Sequence, residues 1–188
     1  MVCLDKGLII HPKKEDFSIE LFADADFAGL WQVEDSNDPV CVRSWTGFVI
    51  TLGGVPFIWN SKLQTEIATS TMHAEYIALS TAMRDLYPIL NLMNEVCEVL
   101  KIERDESTKI VKAYEDNEPA LKLANSPLAK ITPHSKHFAV KYHWFREKVS
   151  EMKIEIKHIS TREQKADIFT KGLTKTEFKT KRNLLMGW

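Results

Sequence analysis

Near residue 69 the hydrophobic period of this chain lengthens from two to between three and four. Before that point, residues 45–52 and 55–59 are β-rich and flank Gly53-Gly54. Paired glycines supply the positive φ of a tight turn, so the segment reads as a hairpin. From about Thr69, the residues Met72, Glu75, Leu79, Ala82 and Leu86 recur at three- and four-residue steps. They share one face of a helix. Pro88 is expected to end or kink this helix, with a second segment running on to about Leu100.

The same criteria give a strand over 18–23 ending at Asp24, a turn-rich loop over 24–42, and a strand over 109–115. Pro119 stands where a first helical residue is favoured and opens a helix to about Ala124. Residues 134–149 read as a helix striped by Phe138, Tyr142, Phe145 and Val149, and 152–159 as a half-exposed strand. Overlapping capping-box patterns, Ser160-x-x-Glu163 and Thr161-x-x-Gln164, predict a last helix from residue 160 or 161. The basic, then apolar, stretch 174–188 reads as a short helix or tail. Antiparallel strands followed by helix-separated ones predict an α/β fold, a mixed sheet with helices packed on it.

Composition narrows the class. A chain of 188 residues, 44% of them hydrophobic, fits one domain with a sizeable core. Its net charge of -1 argues against a strongly basic nucleic-acid binder but leaves room for local basic patches. Cys3, Cys41 and Cys97 are scattered, which suggests neither a disulfide framework nor a thiolate zinc site. No apolar run is long enough for a membrane span. Charges at Asp5, Lys6, Lys13 and Lys14 break up any secretory signal, so an intracellular protein is expected.

Four carboxylates stand in unusual places. Asp24 ends the first strand and Asp116 the fourth, where ligands gather in open α/β sheets. Glu75 lies on the apolar stripe of its helix, a costly place for an unpaired charge. Asp167 falls early in the last expected helix. Mg²⁺ prefers oxygen ligands, and holding two such ions requires converging carboxylates. Plainer roles are open to each acid: Asp24 or Asp26 as a turn residue, Asp116 with Asn117 as a helix cap. The segment 130–148 gathers Lys130, Lys136, Lys141, Arg146 and Lys148. It reads either as a solvated face or as a contact for phosphates. Lys171, Lys175, Lys179, Lys181 and Arg182 form a second basic run, with a polar mobile tail as its default reading and nucleic-acid contact as the second.

Taken together, the motifs resemble the ribonuclease H domain of Ty1/copia-type LTR retrotransposon polyproteins. The resemblance rests on Asp24-Ala25-Asp26-Phe27-Ala28-Gly29, Ser44-Trp45-Thr46-Gly47-Phe48, Trp59-Asn60-Ser61-Lys62 and Ser70 through Leu79. It continues through Glu115-Asp116-Asn117, His134-Ser135-Lys136-His137, Tyr142 through Glu147, and Ala166-Asp167-Ile168-Phe169-Thr170-Lys171. These run in order from about residue 18 to 173. The resemblance implies a ribonuclease H-like five-stranded mixed sheet with helices on both faces. It implies hydrolysis of the RNA strand of RNA–DNA hybrids with two Mg²⁺ ions, Mn²⁺ being able to substitute.

The family's acidic tetrad carries over to Asp24, Glu75, Asp116 and Asp167. Asp24 would bridge both ions, Asp167 would join it on the ion that activates water, and Glu75 and Asp116 on the ion nearer the leaving 3′ oxygen. Thr46, Asn117, Lys136, Lys141 and Arg146 are the expected substrate contacts, Thr46 and Asn117 as small polar groups able to reach a 2′-hydroxyl. The expected organisation is an N-terminal segment 1–17 from the preceding polyprotein region, a ribonuclease H domain 18–173 and a tail 174–188. The expected partners are the hybrid and the reverse transcriptase of the same polyprotein, with no membrane. The expected location is a cytoplasmic virus-like particle or the nucleus. Two features depart from relatives: the stretch 159–165 before the last acid has no histidine, and 125–134 leaves no room for a basic handle helix. A repurposed, non-catalytic nucleic-acid-binding domain is the alternative.

Overall fold

Gly53 and Gly54 take φ of 57° and 82°, the left-handed pair that the hairpin turn requires. They join β2 (Trp45–Leu52) to β3 (Val55–Leu63), and β2 pairs antiparallel with β1 (Ile19–Asp26). This is a computed structural model that describes residues 7–10, 18–31, 33, 37–104, 106–126 and 136–187, the side chains of 106–107 and 136–143 excepted. Helix α1 (Thr71–Leu100) follows the hairpin, then the single turn α2 (Glu106–Lys109), β4 (Val111–Glu115) and α3 (Glu118–Asn125). The chain continues through α4 (Lys136–Glu151), β5 (Ile154–His158), a 3-10 turn (Lys165–Phe169) and α5 (Lys175–Met186).

The five strands lie in the order β3-β2-β1-β4-β5, with β4 parallel to β1 and β5 parallel to β4. Alternation along β1 sends Ile19, Leu21 and Ala23 into one core with Leu79, Met83 and Leu86 of α1. Phe22 and Val49 face the other side, against Ala166 and Phe169 of the 3-10 turn. The expected mixed sheet with helices on both faces is therefore what forms. Ile9 at the N-terminal end donates from its N–H to the Met186 carbonyl oxygen at 3.0 Å, closing on the end of α5.

Three local expectations are corrected. Strand β1 runs past Asp24 to Asp26, because β2 continues to pair with it as far as Trp45. Pro88 does not end α1. Its ring removes one backbone hydrogen bond, but Leu86 and Leu90 are buried and Ile89 and Met93 pack on the same core, holding the helix on both sides of it. The segment after Ser160 is not an α-helix. The Ser160 hydroxyl donates to the Glu163 carboxylate at 2.6 Å and the Thr161 hydroxyl to Asp116 at 2.9 Å, so neither caps a helix. Gln164 caps the 3-10 turn instead, accepting from Ala166 N–H. A true capping box lies later, between Thr174 and Glu177, and opens the helix Lys175–Met186. Lys130 and His134 lie outside the described residues, as does most of the stretch 125–134.

Candidate active site

The acids converge through three separate elements. Asp24 sits in β1 opposite Gly47 of β2 and is completely buried. Asp116 follows the last residue of β4. Ser70 caps α1 by accepting from His73 N–H at 3.1 Å, which fixes the first turn and carries Glu75 inward to 4% exposure. One oxygen each from Asp24, Glu75 and Asp116 lie within 4.8 Å of one another. The Glu75 Oε2 atom is buried with no hydrogen-bond partner. An orphaned buried oxygen among converging carboxylates suits a hard dication that takes oxygen ligands.

Asp167 approaches from the 3-10 turn, and the turn is held tightly. Gln164 is fully buried and donates from Nε2 to the Ala23 carbonyl at 2.8 Å. Ser61 donates to the Phe169 carbonyl at 2.6 Å. Gly47 permits the close fit: a Cβ there would stand 2.6 Å from Thr170 Cγ2 and 2.8 Å from Phe169 Cβ.

Sequence reasoning missed two cations. Lys171 Nζ lies 2.9 Å from Asp24 Oδ1 and 2.9 Å from Asp167 Oδ1. Lys181 of α5 lies 2.6 Å from Asp167 Oδ2 and also donates to the carbonyls of Gln164, at 2.9 Å, and Thr161. In the sequence both belong to the second basic run, whose readings as a mobile tail or a nucleic-acid contact do not anticipate these ion pairs. The available signal was spacing, since Lys171 stands four residues after Asp167. Thr170 donates its hydroxyl to Asp24 Oδ2. Glu115 was also missed. It is fully buried, accepts from Asn117 N–H at 3.0 Å through Oε1, and leaves Oε2 without a partner. Its parity with Val111 and Ala113 along β4 points it into the core.

The electrostatics follow from this geometry. Burial pushes the Glu75 carboxyl up to about 10, and Glu115, Asp24 and Asp116 add to the push. Burial likewise raises Glu115 to about 8, against the hydrogen bond from Asn117. Asp24 rises only to about 6, because Lys171 and Thr170 oppose the effect of burial. Burial disfavours the charge on Lys171, but Asp24 and Asp167 outweigh it and hold the ammonium above the ordinary lysine range.

The expected substrate contacts fare differently. Thr46 is 1% exposed and accepts from Gln64 Nε2 at 3.0 Å, which leaves its hydroxyl no open face. Asn117 caps α3, accepting from Ala120 N–H at 2.9 Å, and remains half-buried beside Asp116. Arg146 is half-buried on α4. The side chains of Lys136 and Lys141 lie outside the described residues.

Over 170 residues, 90% of its length, the chain is 31% identical to the retrovirus-related Pol polyprotein of transposon RE1 of Arabidopsis thaliana. It is 32% identical to that of transposon RE2 of the same plant over 174 residues, and 30% identical to that of transposon TNT 1-94 of Nicotiana tabacum over 164 residues. The chain is a homologue of copia-type transposon Pol polyproteins. It spans 10% to 11% of the length of these relatives. No protein-family model matches it.

Among solved structures it resembles a ribonuclease H1 isolated from compost, with a TM-score of 0.55 and 20% identity over 82% of this chain and 93% of the other. A structure of the compost enzyme in complex with an RNA/DNA hybrid gives a TM-score of 0.53 at 20% identity, over 81% and 94%. The N-terminal ribonuclease H domain of a Mycobacterium tuberculosis protein gives 0.52 at 10% identity, over 89% and 97%. The fold of this transposon Pol homologue is thus that of ribonuclease H.

Proposed function

We propose that this chain hydrolyses the RNA strand of RNA–DNA hybrids as one segment of a retrotransposon polyprotein that also contains a reverse transcriptase. The carrying observation is the convergence of Asp24, Glu75 and Asp116, with oxygens within 4.8 Å of one another, on a ribonuclease H fold. These three would hold one divalent ion, Mg²⁺ or Mn²⁺, and Asp24 with Asp167 a second. Ions so held would supply a bound water that loses its proton readily and attacks phosphorus as hydroxide, and positive charge for the departing 3′ oxygen. Asp24, held on a strand of the sheet, would be a ligand at both positions. Asn117, at the N-terminus of α3 and next to Asp116, is the polar group best placed to touch a 2′-hydroxyl.

Substrate grip would come from α4. Tyr76 of α1 packs on Phe145, and Tyr87 of α1 bonds Glu151, so α4 runs in the same sense as α1. The half of α4 that carries Lys136 and Lys141 therefore lies toward the Glu75 end. This reading puts the protein at work inside the cell, in a cytoplasmic virus-like particle or the nucleus. No described helix is long and apolar enough to cross a membrane.

The test is cleavage of labelled RNA–DNA hybrid, double-stranded RNA and double-stranded DNA, each with Mg²⁺ and with EDTA. The expected result is cutting of the hybrid's RNA strand alone, leaving 5′-phosphate and 3′-hydroxyl ends. Asp116→Asn should abolish it without unfolding the chain. Cyclic phosphate products or cutting in EDTA would refute the mechanism. Hybrid binding without cleavage would favour a repurposed binding domain.

A further inference from the structure

The two lysines in the acidic cluster are held in different ways. Lys181 has a side chain 7% exposed and donates to two backbone carbonyls as well as to Asp167. It is built into the floor of the 3-10 turn. Lys171 keeps 34% of its side chain exposed, and the bonds its ammonium makes go to two carboxylates, at 2.9 Å each. Those are Asp24 and Asp167, which are themselves 0% and 4% exposed at the side chain. Among the described residues no salt bridge reaches Glu75 or Asp116. The cluster therefore has one end filled by an ammonium and another end that no described basic side chain pairs with, where Glu75 keeps an unpartnered oxygen.

Resting on the reading of these carboxylates as a metal centre, we propose that the Lys171 ammonium is the resident cation between Asp24 and Asp167, and that a divalent ion enters there only by displacing it. An ammonium and a dication compete for the same oxygens, and both cannot sit within 3 Å of Asp24 Oδ1 and Asp167 Oδ1. The solvent-reaching stem of Lys171 gives the ammonium a way out that Lys181 lacks. The two metal positions are in consequence unequal. The ion at Asp24, Glu75 and Asp116 loads first, and the ion at Asp24 and Asp167 loads against the lysine. Lys171 thus balances the charge of Asp24 and Asp167 when metal is scarce and sets the metal concentration at which the second position fills.

The experiment is Mn²⁺ titration of the full chain without nucleic acid, by calorimetry and by electron paramagnetic resonance of the bound ion. Parent, Lys171→Gln, Lys171→Arg and Lys181→Met are compared, with melting temperatures taken in EDTA and in Mn²⁺. Lys171→Gln should bind Mn²⁺ about fivefold or more tightly than the parent at the second position, the lower end of usual coupling between ligands. It should melt below the parent in EDTA and recover in Mn²⁺. Lys171→Arg, which keeps the charge, should bind as the parent does. Lys181→Met should gain no affinity, and Mn²⁺ should not restore its lost stability. If the parent binds Mn²⁺ and Lys171→Gln matches it in number and affinity, the displacement idea is wrong while the metal centre stands. Equal gains in Lys171→Gln and Lys181→Met would also overturn it. If no variant binds Mn²⁺, the metal centre and this inference fall together.

Discussion

Glu75 and Glu115 set the behaviour of the metal-free site. With burial raising their carboxyls to about 10 and about 8, the folded chain keeps protons there that the unfolded chain loses near the ordinary value of 4.5. Where the native state binds more protons, stability falls as pH rises. Between pH 7 and 9 the imidazole of His73, whose titration burial moves below 6.5, no longer contributes. The protein in EDTA should therefore melt at a higher temperature at pH 7 than at pH 9, and Mg²⁺ should narrow the difference by binding the native state. Glu115→Gln retains an acceptor for Asn117 N–H and removes one buried acid. It should raise the melting temperature at pH 9 in EDTA and flatten the profile. A scanning-fluorimetry series that is flat or rises with pH in the parent would refute this.

At the scale of elements, legibility in the sequence followed the chemistry of each segment. Gly53-Gly54 and the stripe through Leu79 and Leu86 were readable because turn geometry and helical burial leave direct traces in residue type. The acids Asp24, Glu75, Asp116 and Asp167 were identified through family motifs, and the structure brings Asp24, Glu75 and Asp116 together directly. Lys171 and Lys181 were not recognised, because a lysine that pairs with a buried acid looks the same in sequence as one in solvent. The turn carrying Asp167 was misread since the hydroxyls of Ser160 and Thr161 bond acids rather than backbone N–H groups. That turn depends on contact with β2. Gly47→Ala would set a Cβ 2.6 Å from Thr170 Cγ2 and 3.1 Å from the Ala166 carbonyl oxygen. Overpacking of this kind costs about 1–3 kcal/mol. The expected outcome is lower stability in denaturant, together with a fall in kcat larger than any change in KM, because Asp167 and Thr170 move with the turn. Unchanged kcat in a destabilised variant would show that the turn tolerates the shift without disturbing the acids.

Over the whole molecule, charge limits how a hybrid can be held. The net charge is -1, and the acids of the site add local repulsion toward phosphates. Binding of the proposed hybrid would then depend on a few lysines and arginines placed against that background, each phosphate contact contributing roughly 0.7–0.9 to the salt slope. Helix α4 carries Lys136, Lys141 and Arg146 along a run directed from the Glu75 end of α1. Neutralising these three together should raise KM for hybrid cleavage with little change in kcat, as expected of groups that would hold substrate and transition state alike. The parent should lose activity steeply as salt is added, and the triple variant should show a shallower dependence. Joining the chain to a reverse transcriptase, the neighbour proposed for it above, should strengthen grip, since further phosphate contacts could then come from that domain. Cleavage by the triple variant with the parent's KM and salt slope would mean that α4 presents only a solvated basic face and that the hybrid is held elsewhere.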